Sequence, residues 1–213
     1  MPYRKTPHVN GEFYHVFNRS IYRQPIFNKK RDNALFLKLM QYYQQINPPI
    51  KFSYYRRNPK KYVIDLTNKL VTIISYCLMP NHFHMTLRQD HDNGVRKFMQ
   101  KVLNSYSHFI STKYSFLGPL FESPFKSKRV ESDEQLIHLS RYHHLNPVTV
   151  NLVEHPKDYP YSSFKDYMSE KPVLVDPESV LINFKTTKDY EKFVLVRKQY
   201  QRELAQIKHL LFE

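Results

Sequence analysis

The sequence of 213 residues predicts an α+β fold, with helices packed on one antiparallel sheet. Three observations carry this. Runs at 13–18, 69–78, 82–88 and 120–130 are short and rich in β-branched, aromatic or alternating residues, the pattern of strands. Longer stretches at 30–46 and 93–115 repeat apolar residues at helical spacing. The resulting order, β-α-β-β-α-β-α, puts helices between strands that can pair in a single sheet.

The first strand, Phe13-Tyr14-His15-Val16-Phe17-Asn18, follows Gly11. In the helix over 30–46, Leu35, Phe36, Leu39, Tyr42 and Tyr43 supply the apolar face, and Asn47-Pro48-Pro49 stops it. Residues 50–62 are irregular and basic, with Lys51, Arg56, Arg57, Lys60 and Lys61 around Tyr54 and Tyr55. That segment is either a loop that touches phosphates or a solvated linker. The run 69–78 is a buried strand, Met79-Pro80-Asn81 turns the chain, and 82–88 is the next strand. This hairpin-like pair is expected at the centre of the sheet.

Asp92 stands where it can cap the helix over 93–115, whose stripe is Val95, Phe98, Met99, Val102, Tyr106, Phe109 and Ile110. Gly118-Pro119 is a stop signal. Lys126, Lys128 and Arg129 cluster near the end of the strand over 120–130. Ser132-Asp133-Glu134-Gln135 forms a capping box and opens a further helix. Pro147 is expected to end it at Asn146, because proline pushes the preceding residue out of the α region. Turn-rich pieces then lead to a long helix over about 188–211. The expected division is residues 1–155 as the catalytic domain and 156–213 as a C-terminal extension carrying that helix.

Thirty-three Lys and Arg stand against 19 Asp and Glu, a formal net charge of +14. Such a surplus favours a polyanionic partner and steers it inward. Seventeen Tyr and 15 Phe interleave with that charge, which suits unpaired bases stacking on rings. A basic protein without a specific ligand, or one that meets an anionic membrane surface, has the same composition. No apolar run reaches 18 residues, and Met1-Pro2-Tyr3-Arg4-Lys5 lacks the apolar stretch of a signal peptide. The single cysteine, Cys77, excludes an internal disulfide and fits a reducing, cytoplasmic setting.

Chemistry concentrates in two places. His82 and His84 stand two apart in a strand and so share a face, while Phe83 turns into the core. Tyr142 and Asn146 stand four apart in the helix behind the capping box, with His138 four earlier on the same stripe. If that helix crosses the mouth of the histidine strand, two imidazoles and an amide oxygen can hold a divalent cation. Such mixed ligands accept Mg2+ or Mn2+, and Zn2+ as well. Tyr142 could then attack a phosphodiester, form a phosphotyrosine and release a 3′-OH. Each part also has a purely structural reading: a histidine pair that packs, a tyrosine that fills a core, an Asn-Pro that ends a helix. His143 and His144 add ligands or proton carriers, though adjacent helical positions do not share a face.

These residues resemble a known family. Met79-Pro80-Asn81-His82-Phe83-His84 is similar to the HUH motif (His, bulky hydrophobe, His) of the IS200-like Y1 transposases. Arg141-Tyr142-His143-His144-Leu145-Asn146-Pro147-Val148 resembles their second motif, in the form found in the branch associated with repetitive extragenic palindromes (REP). Tyr14-His15-Val16-Phe17-Asn18-Arg19 and Gln24-Pro25-Ile26-Phe27 match the opening strand and turn, and Tyr159-Pro160-Tyr161-Ser162-Ser163-Phe164 a tail segment of that branch. The resemblance spans roughly residues 10–170. It implies a ferredoxin-like palm, cleavage and rejoining of single-stranded DNA beside hairpins, one divalent metal (Mg2+ or Mn2+) and no ATP. It implies His82, His84 and Asn146 as metal ligands and Tyr142 as nucleophile. His138 has no counterpart.

Asn18, Arg19, Arg88, Lys126, Lys128 and Arg129 are candidate DNA contacts, on charge and nearness to the motifs. The expected partner is single-stranded DNA with hairpin structure, bound by a monomer or a homodimer. Two other readings stand beside the transposase. One is a domesticated hairpin-binding protein that does not cut. The other, a zinc hydrolase, lacks the HExxH motif that would supply its base.

Overall fold

The computed structural model describes residues 7–199. Four strands, β1 (Phe13–Arg19), β2 (Val71–Met79), β3 (His82–Gln89) and β4 (Lys126–Arg129), form one sheet in the order β2-β3-β1-β4. Every neighbouring pair is antiparallel. The principal helices are α1 (Lys30–Tyr43), α3 (Gly94–Tyr114) and α4 (Asp133–Thr149). Short helices are α2 (Phe52–Tyr55) in the basic segment, then α5 (Phe164–Tyr167), α6 (Glu178–Leu181) and α7 (Thr187–Leu195). Two interlocked β-α-β units make the ferredoxin-like α+β sheet, and the C-terminal helices are added to it.

Both faces of the sheet are covered, unequally. On one face α1 and α3 pack on each other and on the sheet. Phe36 of α1 lies 5.5 Å from Phe83 of β3 and 5.0 Å from Tyr106 of α3, ring to ring. Alternation sends Phe83, Met85 and Leu87 of β3 into this layer, fully buried. On the other face α4 lies over β2 and β3. The β1–β4 half of that face holds half-buried His15 and Phe17 and exposed Arg19, Lys126 and Lys128. The reactive groups gather at this step between covered and open sheet.

The central strands are β3 and β1, so the expected centrality of the β2–β3 hairpin fails for β2, an edge strand. Its uninterrupted apolar sequence has another cause. Its free edge is closed by the segment before α5: Leu78 N–H donates to Tyr161 O at 2.9 Å and Ser163 N–H to Tyr76 O at 3.0 Å. With α4 above and α3 below, all nine residues are buried. Covering an edge in this way blocks pairing with another chain.

Other elements depart from expectation for local reasons. β4 is four residues long, because Ser123-Pro124 interrupts the run; before it the chain makes only an isolated bridge, Phe121 to Ser20. Asp92 does not cap α3; its carboxylate accepts from Asn10 Nδ2 at 2.6 Å, and Asn93 takes the cap position with φ 58°. Gly94 follows because a Cβ there would lie 1.9 Å from Leu70 O. α4 runs through Pro147 to Thr149. The proline sits in the last turn, where one missing N–H donor costs little of the ladder.

The capping box forms with a shift. Gln135 N–H donates to Ser132 Oγ at 3.2 Å, while Gln135 Oε1 accepts from Glu131 N–H at 2.8 Å rather than from Ser132. The helix expected over 188–211 is interrupted within the described residues, where α7 ends at Leu195; 200–211 lies outside them. Among the described residues no helix is long and apolar enough to cross a membrane.

Candidate active site

Register fixes what meets at the step. Across the β1–β3 pair Arg19 lies opposite His82, Phe17 opposite His84 and His15 opposite Thr86. Across β1–β4 Lys126 lies opposite Phe17 and Lys128 opposite His15. Opposed residues share a face, so histidines and cations line one surface. A cleft of about 160 Å3 opens there, lined by Phe17, Asn18, Arg19, His82, His84, Glu122 and Lys126.

His82 is oriented from behind by Asn81. The Asn81 Nδ2 group donates to Arg23 O at 3.1 Å, which points its Oδ1 at His82 Nδ1, 2.7 Å away. Only the NH2 end of the amide can donate to that carbonyl, so the amide oxygen faces the imidazole. His82 therefore carries its proton on Nδ1, and Nε2 keeps a free lone pair. His84 is held the same way by another imidazole: its Nδ1 lies 3.0 Å from His15 Nε2. With the shared proton on His84 Nδ1, its Nε2 also offers a lone pair. That Nε2 lies 3.4 Å from the Tyr142 hydroxyl. The helix behind the capping box thus delivers its tyrosine to the histidine strand, and the two rings meet edge to face at 5.2 Å.

A third imidazole stands behind this pair. His143 is fully buried, with Nδ1 2.8 Å from Ser75 Oγ of β2 and Nε2 without a hydrogen-bond partner. Ring nitrogens of His15, His84 and His143 lie within 4.8 Å of one another, a group able to hold a metal ion. Next to it His144, turned the other way, joins α4 to the C-terminal helices: Nε2 lies 2.8 Å from Ser163 Oγ and Nδ1 2.8 Å from the Tyr190 hydroxyl.

Burial sets the charge of the site. It lowers the pKa of His82 to about 4, helped by Arg19, and that of His84 to about 2, helped by His82, His15 and Arg19. Burial and Lys128 lower His15 to about 4. Burial likewise pushes His143 well below its ordinary value. At neutral pH all four rings are uncharged, the form that binds metals. Burial raises the Tyr142 phenol, which therefore rests protonated; nearby Arg19 works the other way.

The other expected site residues fall in different places. Asn146 lies on α4 one turn after Tyr142, buried, and its Nδ2 has no hydrogen-bond partner. Arg19 and Lys126 line the cleft. Asn18 also borders it but is 4% exposed, with Nδ2 donating to Ser123 O at 2.8 Å, so it braces the chain entering β4. Arg88 lies at the far end of β3, paired with Asp90 at 2.6 Å. Arg129 is paired with Glu12 at 2.7 Å, and Lys128 stands exposed beside it. His138 contacts Arg141 and Glu134, away from the cleft. His15 is the site residue outside the two motifs; its alternation with Phe17 and Arg19 in β1 is the sequence signal that puts it on their face.

Residues 54–144 match the family described as transposase, IS200 like. Among solved structures, a REP-associated tyrosine transposase bound to a REP hairpin is similar over 81% of this chain and 88% of its own, with 13% identity and a TM-score of 0.57. The tRNA(His) guanylyltransferase of Saccharomyces cerevisiae aligns with 9% identity over 92% of this chain and 82% of its own, at a TM-score of 0.37, too remote to bear on the argument. No protein of curated function matches. The matched segment runs through the HUH strand to the tyrosine of α4, and over these residues the chain is similar to the IS200-like transposases.

Proposed function

We propose that this protein cuts and rejoins single-stranded DNA beside hairpins, through a covalent 5′-phosphotyrosine on Tyr142. The observation that carries the reading is the 3.4 Å approach of the Tyr142 hydroxyl to His84 Nε2, which joins two motifs 58 residues apart. The solved relative bound to a REP hairpin supports hairpin DNA as the substrate class.

The donor set suits a divalent cation. His82 and His84 are neutral, and each is fixed through Nδ1, with Nε2 left for a ligand. Asn146, one turn after Tyr142 on α4, would complete the set through its Oδ1; the end of its buried amide that lacks a protein partner is Nδ2, a donor that does not ligate a cation. Mg2+ or Mn2+ held there would polarise the scissile phosphate and offset charge developing on it.

The chain's own groups do the rest. Arg19 and Lys126 draw the backbone phosphates into the cleft. The Tyr142 oxygen attacks phosphorus, giving up its phenolic proton to solvent at its exposed side. The bond from phosphorus to the 3′ oxygen breaks, and that oxygen leaves as a 3′-OH after gaining a proton. The ester on Tyr142 conserves the energy of the phosphodiester, so a 3′-OH can attack it and restore a continuous strand. At 38% exposed, Tyr142 is open enough for DNA to reach.

The test incubates the protein with labelled hairpin DNA and Mg2+ or Mn2+, followed by a denaturing gel. A covalent adduct lost in Tyr142→Phe is the expected result. Tight binding with no adduct under either metal would instead mark a domesticated hairpin binder.

A further inference from the structure

We infer that Tyr22 and Arg23 form a stacking platform for an unpaired nucleobase at the mouth of the cleft, a subsite that rests on the DNA reading above. The observation is a pair of left-handed residues. Tyr22 has φ 53° and Arg23 φ 54°, and neither is glycine. The other non-glycine left-handed positions among the described residues are Asn93, Ser115 and Asn151, single polar residues at helix ends. A bulky aromatic and an arginine in succession have no such local reason, and strain of this kind persists only where the surroundings impose it.

The surroundings do impose it. Ser20 N–H donates to Asn81 O at 2.9 Å, Ile21 N–H to Leu120 O at 3.0 Å, and Ser20 Oγ to Gln24 O at 2.5 Å. Ile26 and Phe27 both donate to Pro80 O, at 2.8 and 2.9 Å. Arg23 O receives the Asn81 side chain. The turn is thus pinned on both sides to the HUH turn, and its carbonyl is two hydrogen bonds from His82.

What this clamp achieves is display. Tyr22 is 84% exposed. Among the described residues its ring has no hydrogen bond or ring partner, and Arg23 beside it is exposed as well. Arg19 at the near edge of the cleft supplies the charge that a strand follows to reach the ring. A planar ring next in sequence to an arginine, on a backbone pinned to the HUH turn and three residues from cleft-lining Arg19, fits the face of a base and the phosphate next to it. A base held there sets the strand's position relative to His82.

The chain has no tryptophan, so Tyr22→Trp introduces a single reporter. Its emission should be quenched when an oligonucleotide with a hairpin and an unpaired flank is added, and not by blunt duplex of the same sequence. Tyr22→Ala should lower affinity for the flanked hairpin about ten-fold, within the range for one base–aromatic stack, while Tyr22→Phe binds like the parent. Emission that stays unchanged with DNA bound, as read by anisotropy of a labelled oligonucleotide, overturns the platform and leaves the DNA reading standing. Parental affinity in Tyr22→Ala does the same. Failure of the unaltered protein to bind the oligonucleotide overturns the DNA reading, and the platform with it.

Discussion

Replacing Asn81 should weaken metal binding without touching a metal ligand. Its amide makes two hydrogen bonds in opposite directions, to Arg23 O at 3.1 Å and with His82 Nδ1 at 2.7 Å. Together they fix the tautomer of His82 and the ring's direction. In Asn81→Ala the imidazole loses its partner, rotates, and can place its proton on Nε2. Loss of such an outer partner typically costs about 10- to 100-fold in metal affinity. Asn81 is half-buried and water can partly replace it, so about ten-fold is expected, or about 1.4 kcal/mol. In Asn81→Asp the carboxylate still accepts from His82 Nδ1 but cannot donate to Arg23 O. That variant should hold the metal far better than Asn81→Ala. The assay is a Mn2+ titration without DNA, with free Mn2+ read by electron paramagnetic resonance. Asn81→Ala binding Mn2+ like the parent, while His82→Ala loses it, would refute the reasoning.

Three further outcomes are expected. His82→Ala should abolish cleavage and leave hairpin affinity largely intact, since the basic surface supplies binding; equal loss of both in gel-shift and cleavage assays would mark His82 as structural. Gly94→Ala should destabilise by roughly 1–3 kcal/mol, because its Cβ meets Leu70 O at 1.9 Å, and an unchanged melting temperature would contradict that packing. Acid should loosen α4. Burial lowers His144 to about 3 from 6.5, so the unfolded chain takes up its proton first as pH falls below 6.5, and stability drops. This one ring contributes about 2 kcal/mol of loss between pH 7 and pH 5. His144→Gln should show a correspondingly smaller fall in melting temperature over that interval, and an equal fall would count against it.

Much of this arrangement was legible because it is written in local periods. The two-residue spacing of His82 and His84 is enough to place both on one face, and Phe83 between them does enter the core. The stripe of α3 and the serine of the capping box are of the same kind. What stayed hidden depends on partners distant in sequence. β2 looks like a central strand because it is buried throughout, yet its second neighbour is an irregular segment at 161–163 that no strand pattern announces. His15 joins His84 only through the β1–β3 register, and His143 joins them only because α4 crosses β2. Adjacent helical residues do not share a face, and His143 and His144 accordingly face different partners, Ser75 and Tyr190. Both are nonetheless buried, because α4 is covered on two sides. Pro147 misled for the opposite reason: tertiary packing carries the helix through a residue that local rules would end it on. The left-handed backbone of Tyr22 and Arg23 contradicts local preference, so it could be found only in three dimensions.

Covalent bonding of Tyr142 to DNA is what the proposed reaction requires. Trapping the protein with a hairpin substrate and Mn2+, digesting it with trypsin and mapping the adduct by mass spectrometry tests this directly. A nucleotide phosphate is expected on the peptide that begins after Arg141, at Tyr142. An adduct on another tyrosine, or cleaved DNA with no adduct at all, would contradict it.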